Sequence, residues 1–516
     1  MDTSAVETSG RIISGDRVLP LAEMHQRALR AARGLQSLGV GAGDTFAVLL
    51  RNDFAFFEAA YAANRLGAHL VPINWHFSGP EVAYILEDSG ARALIAHTDL
   101  LAGMRELMPA AVQLLLVETP PEIRRVYGVE EQHAAAPAGD SLWSEWLEGF
   151  DPLAPAEVPA PGSMIYTSGT TGRPKGVKRQ PPNDREAEVS TEVMARIFGF
   201  HSEAPVALLT APMYHATPNG FFRMAVASNA TIVIESRFDP ERYLALIDQH
   251  RVTDAYGVAT MFVRLLRLPE DVRRSYDVSS LRCVVHGAAP TAPEIKRAMI
   301  AWWGPVLVEH YGSTELGAVV ACDSTEWLAH PGTVGRALPH VQLRILDADG
   351  NELPPGEIGE IYARPIYPDF TYQNDSGKRA AMERDGFWTA GDIGYLDAAG
   401  YLYLSDRKND MVISGGVNIY PKEIESELLA LNKVRDCAVF GIPDEEFGEA
   451  LAAVIQIVDG AQLTADEVRS FLAARIARYK IPKVVEFRDE LPRQDTGKIY
   501  KRLLRDEYWK AAGRKI

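Results

Sequence analysis

A repeated alternation of short apolar runs with helical stretches restricts the fold of this chain more than any other feature. The amphipathic segment LAEMHQRALRAARGLQSLG leads into the turn Gly41-Ala42-Gly43-Asp44, the run TFAVLL and a second helix predicted from Asp53 to Leu66. HLVPIN, a helix near Pro80 to Asp88 and the strand-like RALIAH carry the rhythm on to about residue 118. Strands that are apolar on both faces need helices on both faces, so this pattern predicts a largely parallel sheet with helical cover. Residues 119–162 become rich in Pro, Ala and acidic groups and read as a looser connection. From 163 the sequence resumes as strand, glycine-rich loop and helix, then runs through VALLTAP, TIVIES, DAYGVAT and LRCVVHGAAP, each followed by a helical stretch.

Residues 331–405 differ: short alternating strands separated by Asp-Gly, Ala-Gly and Pro-Gly turns predict a β-rich subdomain. The last stretch, about 110 residues, has its own strand and helix signals and is domain-sized. The expectation is an α/β chain. A large N-terminal domain of layered sheets and helices would span 1–406, and a small α+β domain 407–516.

At 516 residues, 47% hydrophobic and 24% charged, the chain has ample material for more than one core and is unlike a disordered sequence. The formal net charge of −16 disfavours general attraction to nucleic acid or anionic lipid, so any phosphate must be held by local design. Cys283, Cys322 and Cys437 are far apart without a CxxC pair, which argues against a disulfide framework or a zinc ribbon and fits a reducing cytoplasm. The start MDTSAVETSG lacks a basic, then apolar, leader, and no segment reaches the about 18 apolar residues of a membrane span. An unprocessed soluble protein, monomer or homodimer, is expected.

The strongest local signal is MIYTSGTTGRPKGVKR, in which an apolar strand enters Thr167, Ser168, Gly169, Thr170, Thr171, Gly172 and Lys175. Glycines let a backbone turn its N–H groups onto phosphate, hydroxyls add neutral donors, and lysine brings a mobile cation. The spacing departs from GxxxxGK[ST], so this is not the loop that opens a P-loop helix.

TSGTTGRPKG resembles the signature loop of the adenylate-forming superfamily, which includes acyl-CoA synthetases, nonribosomal-peptide adenylation domains and beetle luciferases. Further segments resembling that family follow in order: YGSTELG, TAGDIGYLDAAGYLYLSDRKND, MVISGGVNIYPKEIE and PRQDTGKIYK. The resemblance implies that ATP lies along 167–175 with Mg²⁺ on Glu315 and the Thr170 hydroxyl. It implies that Asp392 accepts from the ribose hydroxyls, and that Tyr311 stacks on adenine opposite the turn Gly287-Ala288-Ala289-Pro290. His310, Gly312, Ser313 and Thr314 belong to the same nucleotide segment. Lys498 would touch both the carboxylate and the α-phosphate in the first half-reaction. A C-terminal domain swinging about Asp406 and Arg407 would then exchange Lys498 for the loop Ser414-Gly415-Gly416, opening a path for the pantetheine arm of coenzyme A.

By the same register the acid pocket lies among Tyr214, His215, Phe222, Val258, Met261, His286, Gly287, Gly312 and Gly317, with His215 gating the carboxylate and thiol path. The pocket segments carry no acidic residue placed for an α-amino group, and their apolar walls imply a hydrophobic acid: fatty, aromatic or a sterol side chain. The activity implied is an ATP- and Mg-dependent acyl-CoA ligase that forms an acyl-adenylate, releases pyrophosphate, and passes the acyl group to coenzyme A with release of AMP. An amine or a carrier protein is the alternative acceptor, and a silent nucleotide-binding protein a third possibility. Two positions depart from relatives: His310, where a small or different polar residue is frequent, and the fully apolar Met411-Val412-Ile413.

Overall fold

The computed structural model describes residues 10–154, 158–167, 174–289, 291–407, 410–414, 417–444, 447–493 and 499–511. The alternation after residue 20 forms a four-stranded sheet in the order 69–72, 45–49, 93–97, 113–117, all parallel. Its strands Thr45–Leu49 and Ala93–His97 are buried throughout, as a sheet covered on both faces requires. The helices Leu21–Ser37 and Phe54–Leu66 pack on it. They are joined by a buried carboxylate: Glu58 accepts from Arg27 at 2.5 Å and from the Trp143 indole at 2.6 Å.

That indole is a correction. Residues 119–162 are not merely a loose connection, since Pro121–Tyr127, Glu131–Ala134 and Trp143–Glu148 are helices. Trp143 and Leu147 close the core beneath the first two helices. The helices are only four to seven residues long, too short for periodicity to reveal.

A second, larger sheet holds 14 strands among the described residues. Its parallel centre runs in the order 307–313, 283–286, 254–257, 206–209, 231–234 and 11–14. Each of the four strands from 206 to 286 feeds a helix, as predicted. Strand Leu307–Ser313 then turns back antiparallel on Gly317–Asp323. From there the short strands of 335–407 continue the same sheet through 335–337, 401–407, 387–396, 359–364 and 342–346.

After Arg407 the next strand, Val412–Ser414, belongs to a different sheet, of five strands, with 417–419, 448–457, 434–444 and 484–487. Val412, Ile424, Val439, Ala453 and Leu472 give this smaller domain its own core. No helix among the described residues is long and apolar enough to cross a membrane.

Candidate active site

Strand Ile165–Thr167 pairs antiparallel with Lys175–Arg179, with Thr167 opposite Lys175, and a third strand, Phe370–Tyr372, adds to the outer edge. The segment from 163 therefore continues as a hairpin, and a helix, Asp184–Phe198, begins only after it. Ser168, Gly169, Thr170, Thr171 and Gly172 fall between the two strands and lie outside the described residues, as do Pro290, Gly415, Gly416 and Lys498.

At the Thr167–Lys175 end of this hairpin the charges interlock. Lys175 Nζ forms an ion pair with Asp375, which also caps the helix Ser376–Ala381 by accepting from the Lys378 N–H at 3.1 Å. Hydrogen bonding to Lys175 holds the Asp375 carboxyl below its ordinary range. Glu315 Oε1 accepts from the Tyr372 hydroxyl at 2.8 Å. Burial, then the Glu315 charge, pushes that phenol well above its usual value, so it stays a donor. Burial lowers Lys378, while Glu315 opposes the change. Three cationic or hydroxyl groups and two carboxylates thus converge from strands far apart in sequence.

Arg179, which sequence reading did not single out, fixes this corner. Its Nη2 donates to the carbonyls of Thr314 and Glu315, each at 2.8 Å, and Nη1 donates to the Pro368 carbonyl at 3.1 Å. Burial depresses its pKa, and Glu315 is the chief opposing charge. The guanidinium ties the hairpin to the turn that carries Glu315, a fork geometry that lysine could not supply.

Tyr311 and Asp392 meet: the phenol donates to Asp392 Oδ2 at 2.8 Å, and the carboxylate is 9% exposed. Asp392 is the register partner of Arg407 on the neighbouring strand, which brings a third expected residue to the same place at the backbone level. Gly312 sits at a bulge where a Cβ would come within 2.0 Å of the Gly317 carbonyl, so only glycine fits. Ser313 and Thr314 lie on the same turn, where Ser313 Oγ accepts from the Leu316 N–H at 3.0 Å.

The turn after strand Cys283–His286 is strained: Ala288 has φ of 65°, and the Ala289 N–H bonds back to the Gly287 carbonyl at 2.8 Å. His286 is buried against Phe262 with ring centroids 5.3 Å apart, and burial holds its pKa well below normal. It is therefore a bulky group buried at the end of its strand. Val258 and Met261 lie buried where strand Asp254–Gly257 passes into helix Ala259–Leu266. Phe222 packs edge-on against Phe56 and Phe57, towards the first unit.

The Tyr214 and His215 rings lie tilted to each other, centroids 4.4 Å apart, just before helix Ala216–Ala227. Their loop is pinned by two asparagines that carried no signal in the sequence. Asn52 accepts from the Met213 N–H at 3.0 Å and donates to the Ala211 carbonyl at 3.0 Å, and Asn219 donates to the Met213 carbonyl at 3.1 Å. Because both partners are main-chain groups from distant segments, pattern alone could not find them.

A strand pair whose Lys175 and neighbouring Tyr372 carry contacts to Asp375 and Glu315, together with a Tyr311–Asp392 pair in the large sheet, is the arrangement of an adenylate-forming enzyme. The chain belongs to the AMP-binding enzyme family: the AMP-binding enzyme model matches residues 2–366 and the AMP-binding enzyme C-terminal domain matches 423–498. It is 34% identical to a feruloyl-CoA synthase from Amycolatopsis sp, over 94% of this chain and 93% of that one. It is 31% identical to ScoC, a fatty acid–[acyl-carrier-protein] ligase from Streptomyces coeruleorubidus, over 99% and 95%. ATP-bound MatB from Rhodopseudomonas palustris superposes with a TM-score of 0.83 at 28% identity, over 98% of this chain and 97% of that one. The expectation of an acid–thiol ligase of the acyl-CoA synthetase kind, on a large and a small domain, is met.

Proposed function

We propose that the protein activates a hydrophobic carboxylic acid with MgATP and transfers the acyl group to coenzyme A. The observation that carries this reading is the convergence of Lys175, Glu315 and Tyr372 at the mouth of the Thr167–Lys175 hairpin, in a chain related along its length to such ligases. A carboxylate oxygen of the acid attacks the α-phosphorus, the bond to the β-phosphate bridging oxygen breaks, and pyrophosphate leaves. Lys175 offsets charge on the leaving phosphates, and Lys498 bridges the two anions that must meet.

Among the described residues no group of three or more His, Cys, Asp or Glu could hold a metal ion. Mg²⁺ brought with the triphosphate would be held by the hard carboxylate of Glu315, with the Thr170 hydroxyl as the second residue the motif order assigns, and would offset charge on the phosphates. In the second half-reaction the small domain turns about Asp406 and Arg407 and brings the Ser414 loop to the site. The coenzyme A sulfur then attacks the acyl carbon, its proton passes to solvent, and AMP leaves with the electron pair of the broken bond. His215, held by the Asn52 and Asn219 contacts, gates this path. Three buried free cysteines fit a reducing cytoplasm.

The match to ScoC favours one second reading, a carrier-protein thiol as acceptor. Pyrophosphate release is to be screened against fatty, aromatic and sterol side-chain acids, with and without coenzyme A. Acid-dependent pyrophosphate together with loss of free coenzyme A thiol is expected. Adenylate that forms but leaves the free thiol untouched would instead point to the carrier, and no pyrophosphate from any acid would sink the proposal.

A further inference from the structure

His310 is a position of the nucleotide segment whose side-chain chemistry the scheme above leaves unused. It lies on strand Leu307–Ser313, which runs parallel to Cys283–His286 with Val285 opposite Val308 and His286 opposite Glu309. One step further along that register His310 falls opposite Gly287, and a Cβ added to Gly287 would sit 2.8 Å from His310 Nε2. The imidazole thus stands over the strained Gly287–Ala289 turn, at the carboxyl ends of parallel strands, where open α/β sheets take their ligands. Strand alternation turns it away from Glu309, whose carboxylate is engaged by Lys296 on helix Pro293–Trp303.

Both His310 ring nitrogens are buried, and neither meets a hydrogen-bond partner among the described residues. A buried donor or acceptor left unmet is costly, so two on one ring mark a place shaped for a polar group from outside the chain. Burial lowers the ring to about 4. At neutral pH it is an uncharged imidazole with one N–H donor and one acceptor, which suits a hydroxyl or carbonyl oxygen better than a second carboxylate. Val258 and Met261, buried at the end of the adjacent strand, supply apolar surface nearby.

We infer that His310 is a specificity residue for the acid substrate: it hydrogen-bonds a hydroxyl or keto oxygen carried on an otherwise apolar acid, so an oxygenated acid is the preferred class over a plain hydrocarbon chain. This rests on the ligase reading proposed above and narrows it.

The test is pyrophosphate release with matched pairs of acids: 3-phenylpropanoate against its ring-hydroxylated analogues, benzoate against hydroxybenzoates, and decanoate against hydroxy- and ketodecanoates. In the wild type the oxygenated member of at least one pair is expected to lead by about tenfold or more in kcat/KM, since a site built to bond a hydroxyl rejects the analogue lacking it. His310→Ala brings that ratio close to one. His310→Gln keeps a donor and an acceptor at similar reach and restores part of it, which a merely space-filling role would not produce. Wild-type ratios near one for all acids that are turned over, or a ratio unmoved by His310→Ala, overturn the inference. Pyrophosphate from none of the acids overturns the ligase reading itself.

Discussion

Lys296 Nζ lies 2.5 Å from Glu309 Oε2, and its side chain is only 1% exposed. Removing one partner of such a pair strands a charge in the interior, at a cost of about 3–5 kcal/mol, whereas replacing both with apolar groups of like volume is often neutral. Lys296→Met should therefore lower unfolding stability by that amount in urea titrations, and Lys296→Met with Glu309→Leu should recover most of it. A single variant as stable as the double would contradict the argument. His69 adds a pH dependence. Burial, with the Lys178 charge, lowers it to about 4, against a hydrogen bond to the Gly162 backbone. Below the ordinary histidine value of about 6.5 the unfolded chain binds the proton and the folded one does not. Its contribution is thus complete above pH 6.5 and is lost as pH falls towards 4. His69→Gln should flatten the stability slope in that window by up to about a tenfold change in folding constant per pH unit. Parallel slopes for the two proteins would refute this. The chain order of motifs made Glu315, Asp392 and Tyr311 legible. It could not show that Tyr311 donates to Asp392, because their strands meet only in the sheet.

At the scale of elements, the hairpin Ile165–Arg179 and the strand Phe370–Tyr372 form one unit that presents Lys175 to Asp375. On the function proposed above, an incoming triphosphate would compete with Asp375 for that lysine. A pair open to solvent in this way is weak, because water screens it. Asp375→Asn, which keeps a side-chain oxygen to cap helix Ser376–Ala381, should tighten ATP binding by up to about fivefold in calorimetry. Weaker binding would mean that Asp375 helps to hold the nucleotide. The glycine-rich loop was legible from composition, but its edge partner was not, since about 200 residues separate Lys175 from Asp375. The short helices of 121–148 were hidden for a different reason: their order comes from burying Trp143 and Leu147, not from propensity.

For the whole molecule the decisive question is how the two domains share one reaction. The chain on either side of 494–498 is anchored within the small domain: Arg493 pairs with Asp436 at 2.6 Å, and Lys501 with Glu425 at 2.8 Å. Arg493 and Lys501 therefore belong to the fold of the small domain. Lys498→Ala should abolish acyl-adenylate formation yet still convert supplied acyl-adenylate and coenzyme A to thioester, read by separate assays of the two half-reactions. Equal loss in both would remove the division of labour proposed here.

The two-domain α/β class followed from sequence alone, because alternating apolar runs and amphipathic helices can be satisfied in few ways. So did the resemblance of TSGTTGRPKG to the signature loop of the family, because glycine, threonine and lysine together can turn N–H, hydroxyl and ammonium donors onto phosphate. Tertiary structure alone decided that the strands of 335–407 other than Phe370–Tyr372 extend the large sheet, that Arg179 braces the Glu315 turn, and that His310 stands over Gly287 with no hydrogen-bond partner among the described residues. These depend on contacts between segments distant along the chain, and local pattern carries no record of which distant segments will meet.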